Sequence, residues 1–260
     1  MPFTLAHPAA VMPLRRIKYL PTLALVVGSM TPDIPYYFPG RASVPFLADT
    51  HTLYSSFVVG IPLGLLVIAI ALLLRRPLTA LMSERARWVS LRAAEAFVSR
   101  PVNWLLAIPA LLIGSWTHIL WDGFTHPDTF VSRRVDALTA PVNIFGVYTG
   151  VVSHFLQYVS SIVGLAVIAY WYTRVAAEAP PEVSSGSDRS RSRWLVLGLV
   201  IVAAIVIGTL QALRAYHLFP TVYHLIYLLL TRTLAWFALL YVVAGAMLLM
   251  SQRPQPQLQS

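Results

Sequence analysis

Five stretches of this sequence run for about 20 residues or more with almost no charge: residues 52–74, 101–122, 142–172, 194–213 and 222–250. The hydrocarbon core of a bilayer is about 30 Å thick, and a helix rising about 1.5 Å per residue needs about 20 apolar residues to cross it. No water reaches that layer to satisfy peptide groups, so crossing segments of this length must be helical. The expected fold is therefore all-α: a polytopic helical membrane protein with about five transmembrane helices plus short N-terminal helices. Composition agrees, because 57% of the residues are hydrophobic and 11% charged, against about 45–50% and about 25% in soluble domains. The third and fifth stretches are long enough to tilt or to project from the bilayer.

Residues 19–30 are also apolar, but this shorter run with Pro21 near its start suits a packed or half-inserted helix better than a crossing. "TPDIPYYFPG" holds three prolines and a glycine and reads as a rigid, irregular loop. "RRIK" before "YLPTLALVVGSM" resembles a secretory signal only loosely, since no small-x-small cleavage site follows. The chain divides into a membrane domain over 1–172, comprising the N-terminal segment and three spans, a polar linker over 173–193, two further spans over 194–250 and a disordered tail over 251–260. No internal repeat is visible.

The chain carries 19 Lys plus Arg against 10 Asp plus Glu. The excess is mostly arginine in the loops and forms no basic run with interleaved aromatics, so it points to membrane topology and away from nucleic acid. The loop over 75–100 and the linker side over 174–193 are the richest in arginine, which places them and the C-terminus in the cytoplasm. His7, Asp33, His51, His118, Asp122, His126 and Asp128 then all fall at the opposite, extracytoplasmic face of what is expected to be a bacterial inner membrane.

The stretch "HILWDGFTHPD", from His118 to Asp128, ends the second apolar run in ionisable groups. His118 and Asp122 are four residues apart and share one helical face, the spacing that offers two ligands to one ion. An antiparallel pair of spans brings His51, at the mouth of the first, beside Asp122 at the end of the second. Asp33, held in the proline-braced loop, completes a set of four, and His7 and His126 stand ready as ligand, acid or base. With no cysteine in the chain the site has only nitrogen and oxygen ligands, which suits a divalent metal, zinc first, with manganese or iron as alternatives. Residues 1–172 are then the metal-site domain.

The bland reading of HxxxD is an interfacial hydrogen-bonded pair, but burying this many ionisable groups at apolar helix ends is costly without a common partner. His154, inside the third span, is a candidate for lining the same cavity and binding substrate. Arg232, two turns beyond His224 and within the hydrocarbon depth, needs an anionic partner and is the second substrate-binding candidate. His217 and His224 read as interfacial packing, and Trp116 and Trp121 as an aromatic belt.

At "MPFTLAHPAAV", "GSMTPDIPYYF", "HTLYSSFVVGIPLGLL" and "GSWTHILWDGFTH" the sequence resembles a bacterial family of integral membrane proteins of unknown function and, more distantly, inner-membrane metal-dependent hydrolases. The likeness covers about residues 1–172. The order Asp, His, HxxxD is similar to one metal site of the zinc-dependent phospholipases C, which implies Asp33, His51, His118 and Asp122 around one ion. Those enzymes add a later histidine pair and a glutamate, whereas His154 here is followed by Tyr158, so the resemblance implies one or two ions rather than three.

The expected function is a membrane-bound metal-dependent hydrolase of an ester or phosphoester, a lipid being the natural substrate, with Asp122 or His126 as general base. The alternatives are a small transporter or ion-binding membrane protein, and a structural protein tied by a metal.

Overall fold

The computed structural model describes residues 4–38, 47, 49–145, 148–184, 188–216 and 222–251. His217, Arg41 and the tail from 252 onward lie outside the described residues. In chain order the helices are α1 (Pro8–Val11), α2 (Thr22–Gly28), α3 (Leu53–Leu73), α4 (Arg75–Ala80), α5 (Glu84–Val98), α6 (Asn103–Thr125), α7 (Asp136–Thr139), α8 (Val152–Ala176), α9 (Asp188–Tyr216) and α10 (Val222–Ser251), with a hairpin of β1 (Pro141–Ile144) and β2 (Tyr148–Val151) before α8. Five of these contain segments long and apolar enough to cross a membrane: Leu53–Leu73, Asn103–Thr125, Val152–Ala176, Ser192–Tyr216 and His224–Ser251. Leucines, isoleucines and valines along them stay exposed, as Leu66, Ile162, Leu199 and Leu230 do, which suits contact with lipid rather than water. The chain is a helical, multi-pass membrane protein.

The third apolar stretch corrects the reading of 142–172 as one span. Residues 141–144 and 148–151 pair as an antiparallel hairpin, with Pro141 opposite Val151 and Ile144 opposite Tyr148, and the helix begins only at Val152. Hydropathy counts apolar side chains and ignores backbone preference. Val142, Ile144, Tyr148, Thr149 and Val151 are β-branched or aromatic, and Pro141, Asn143 and Gly150 disfavour a helix.

The chain forms two compact units, Met1–Ala69 with Glu95–Ala177, and Ile70–Ala94 with Glu178–Ser260. In the first, α2 is a buried helix of 7 residues. At about 1.5 Å per residue it is far too short to cross a membrane, and it packs along α6 with Ala24 and Leu25 fully buried. Two glycines make that approach possible. A Cβ on Gly28 would lie 2.5 Å from the carbonyl oxygen of Leu111, and one on Gly114 would lie 2.5 Å from that of Leu25. Because the two backbones touch, the loop after α2 is set against the last turns of α6.

In the second unit α9 and α10 pack along each other, and α4 packs on α10. The Arg193 guanidinium donates to the Glu84 carboxylate and to the Met82 carbonyl, tying the start of α9 to the start of α5. The segment expected as a polar linker is helical at both ends, since α8 continues to Ala176 and α9 starts at Asp188.

Candidate metal centre

Local signals place each ligand candidate. Thr52 caps α3: its hydroxyl accepts from the Ser55 amide while Ser55 Oγ accepts from the Thr52 amide, so the helix starts two residues after His51. At the other terminus, Pro127 disfavours helical backbone at His126, which is extended, and α6 ends at Thr125 with His118 and Asp122 on its last two turns. Asp33 opens the 3-10 turn Ile34–Tyr37, braced by prolines on both sides. His7 precedes α1. His7, Asp33, His118 and Asp122 are all buried, and the His51 side chain keeps 24% of its exposure.

The four atoms that face inward are close. His51 Nε2 lies 3.4 Å from Asp33 Oδ1 and 3.4 Å from Asp122 Oδ2. His118 Nε2 lies 3.3 Å from Asp122 Oδ2, 3.7 Å from Asp33 Oδ1 and 3.3 Å from His51 Nε2. Neighbouring ligand atoms of a tetrahedral zinc site, each about 2.0–2.1 Å from the ion, stand roughly 3.3 Å apart. His7 Nε2 is 3.6 Å from Asp122 Oδ1, the second oxygen of the same carboxylate, and its ring stacks on His118 at 3.7 Å. Two ligand triplets therefore share His118: Asp33, His51 and His118, and His7, His118 and Asp122.

The outer hydrogen bonds settle which ring nitrogens carry lone pairs. His118 Nδ1 donates to the Ser29 carbonyl at 2.8 Å, leaving Nε2 free of its proton in the neutral ring. Thr50 gives its single hydroxyl proton to the Pro32 carbonyl at 2.6 Å, so toward His51 Nδ1, 3.4 Å away, it is an acceptor. In the neutral His51 ring Nε2 then carries a lone pair as well. Two such nitrogens 3.3 Å apart, flanked by carboxylates, repel unless a cation stands among them. Asp33 is held by Thr4, whose hydroxyl donates to Oδ2 at 2.7 Å and accepts from the Tyr37 hydroxyl at 2.9 Å. Asp33 Oδ1, Asp122 Oδ1 and both His7 ring nitrogens are buried with no hydrogen-bond partner. Such groups cost about 1–3 kcal/mol each, more when charged, and a divalent cation would satisfy them together.

Electrostatics without an ion point the same way. Burial lowers the His51 pKa, but Asp122 and Asp33 outweigh it and raise the group to about 9, so a proton takes the place of the cation. Burial, with His118 alongside, pushes His7 down to about 3 against the pull of Asp122 and Asp33. Burial opposes the charge on Asp33, yet the neighbouring His51 and His118 and the hydrogen bond from Thr4 hold its carboxyl below the usual range.

His126 sits at the rim, its side chain 25% exposed and its Nδ1 3.6 Å from Asp122 Oδ1. Its Nε2 is 3.4 Å from the amide nitrogen of the buried Gln157 on α8. Burial lowers the His126 pKa. His154 is not brought to the cluster; it stands among Tyr148 and Tyr158, with Nε2 3.4 Å from the Tyr158 hydroxyl. Asp128 is paired with Arg133 at 3.9 Å, at a positive φ of 64°. Arg232 belongs to the second unit, half-buried on α10, and the His224 ring stacks on Tyr227.

Thr4, Thr50 and Gln157 were not foreseen. Gln157 had a signal, a polar amide inside an apolar run, and Thr4 and Thr50 lie within three residues of ligand candidates. The Ser29 carbonyl had none, because a backbone acceptor leaves no mark on the sequence.

No curated protein and no solved structure matches the chain. The match to a family reaches past the resemblance over 1–172 and takes in the last two spans: over residues 1–250 the chain fits the model described as Domain of unknown function (DUF4184), and it belongs to that family.

Proposed function

We propose that this protein is a membrane-bound, metal-dependent hydrolase of a lipid ester or phosphoester, with Asp33, His51, His118 and Asp122 holding a zinc ion and manganese or iron as alternatives. The observation that carries the reading is the pair of imidazole Nε2 atoms 3.3 Å apart, both Nδ1 atoms being committed outward to Ser29 and Thr50. A bound divalent cation would supply Lewis acidity and lower the pKa of water to about 7.

His7, facing the second oxygen of Asp122, positions that carboxylate or joins a second ion. His126, partly exposed at the rim, takes the proton from the attacking water and returns it to the leaving group. Water adds its oxygen to the phosphorus or acyl carbon, the ester bond to the leaving oxygen breaks, and that oxygen leaves protonated. The partial exposure of His51 and His126 favours catalysis over a structural tie, since structural sites are closed. The absence of an inverted repeat counts against a transporter. By the arginine distribution the site lies on the extracytoplasmic face, and Arg232 remains a candidate for binding a substrate phosphate.

Metal analysis of purified protein tests the reading, together with a screen of phospholipid and polyprenyl phosphate hydrolysis. About one or two equivalents of metal are expected. Alanine at Asp33, His51, His118 or Asp122 should sharply lower both metal content and hydrolysis, while His224→Ala leaves them unchanged. Wild-type protein free of metal, or alanine variants that keep it, would overturn the assignment.

A further inference from the structure

Beside His7, the first unit encloses a cavity of about 240 Å³ between the N-terminal segment, the end of α6 and the middle of α8. Its wall is largely apolar: Ala6, Ala9, Ala10, Trp121, Val163 and Val167. The small N-terminal residues create the space, and Gly164 lets the chain at Ala6 approach, since a Cβ there would lie 2.9 Å from the Ala6 carbonyl oxygen. The hydroxyls of Ser160 and Ser161, which also line it, donate to the Gln157 carbonyl at 3.2 and 2.8 Å. The wall therefore favours an apolar occupant over water.

Two features say what that occupant is. Val163 and Val167, which line the cavity, belong to a candidate membrane span and keep 54% and 40% of their exposure, so the cavity opens along a helix suited to contact with lipid. At its inner side lies His7, 3.6 Å from Asp122 Oδ1. A molecule entering from the bilayer thus has its apolar part in the cavity and its head at the His/Asp cluster.

We propose that this cavity is the hydrocarbon-chain subsite of the substrate, taking the segment of a membrane lipid's acyl or isoprenoid chain nearest the reacting ester or phosphoester. The proposal rests on the hydrolase reading for the head group, and on the cavity alone for the chain. At about 30 Å³ per small group the space holds roughly eight groups of methylene size.

The test uses the full-length protein in nanodiscs with a phosphatidic acid carrying a diazirine in its acyl chain, and in parallel with a diazirine-bearing isoprenyl phosphate. Crosslinks are mapped by mass spectrometry. Labelling should concentrate on Ala9, Ala10, Trp121 and Val163, and the more efficient probe identifies the chain type. Ala10→Phe fills the cavity from the N-terminal side and Val167→Phe from α8; each should cut cavity labelling at least tenfold while metal content stays at the wild-type level. If Ala10→Phe fails to fold, Val167→Phe carries the same reading. Asp33→Ala should lose metal and keep the labelling, which separates failure of the metal reading from failure of this one. Labelling spread evenly over outward residues such as Leu199 and Leu230, or unchanged in both filled variants, would overturn the proposal.

Discussion

Gly114→Ala tests whether the contact between α2 and α6 builds the site. The added methyl would lie 2.5 Å from the Leu25 oxygen, 2.6 Å from the Ser29 nitrogen and 2.8 Å from the Gly28 carbonyl carbon. All three are backbone atoms, so no side-chain rotation relieves the clash. Ordinary contact begins near 3.4 Å, so the two helices must separate by about 0.9 Å, the difference between 3.4 and 2.5 Å. Overpacking of this kind costs about 1–3 kcal/mol, more than the gain of up to about 1 kcal/mol from replacing a helical glycine.

The shift also reaches the metal. Ser29 is the residue whose carbonyl holds His118 Nδ1 at 2.8 Å, and a separation of that size takes the bond beyond about 3.2 Å, where it is largely lost. Loss of such an outer partner lowers metal affinity about 10–100-fold. Thermal unfolding in detergent should show a melting point lower by roughly 2–12 °C, and metal titration should show the weaker affinity in the same variant. Gly198→Ala is the control, because a Cβ there meets nothing within 4 Å; it should be neutral or slightly stabilising. A Gly114→Ala protein with wild-type melting and full metal affinity would refute the argument that this helix contact sets the ligands.

Thr50→Val keeps the side-chain shape but removes the acceptor for His51 Nδ1 and the donor to Pro32; metal affinity should fall about 10–100-fold, and an unchanged titration would show that His51 is oriented by something else. A reporter fused near Glu84 should read cytoplasmic and one near Asp136 extracytoplasmic, and the reverse pattern would move the site to the other face. Arg232→Lys and Arg232→Gln should both keep full metal content. If Arg232 grips a substrate phosphate, activity on a lipid phosphoester falls in both, further in Gln because the charge is gone; a stable, fully active Gln variant removes Arg232 from the site.

What the sequence determined alone is what lipid and helical periodicity impose. A hydrocarbon layer of fixed thickness, empty of water, turns long apolar runs into helices, and the described spans agree with four of the five stretches to within a few residues. The three-residue gap between His118 and Asp122 puts both on one face whatever surrounds them, and Asp33 and His51 were visible as ionisable groups at apolar ends. Tertiary structure decided the rest. Whether residues 142–144 and 148–151 extend a helix or pair as strands depended on backbone preference that hydropathy does not weigh. The orientation of His118 depended on a carbonyl 89 residues away, brought near by Gly28 and Gly114, and the cavity beside His7 exists only because Ala6, Ala9 and Ala10 meet α8. Ring orientation, buried partners and empty volume are properties of contacts between distant segments, and no single segment encodes them.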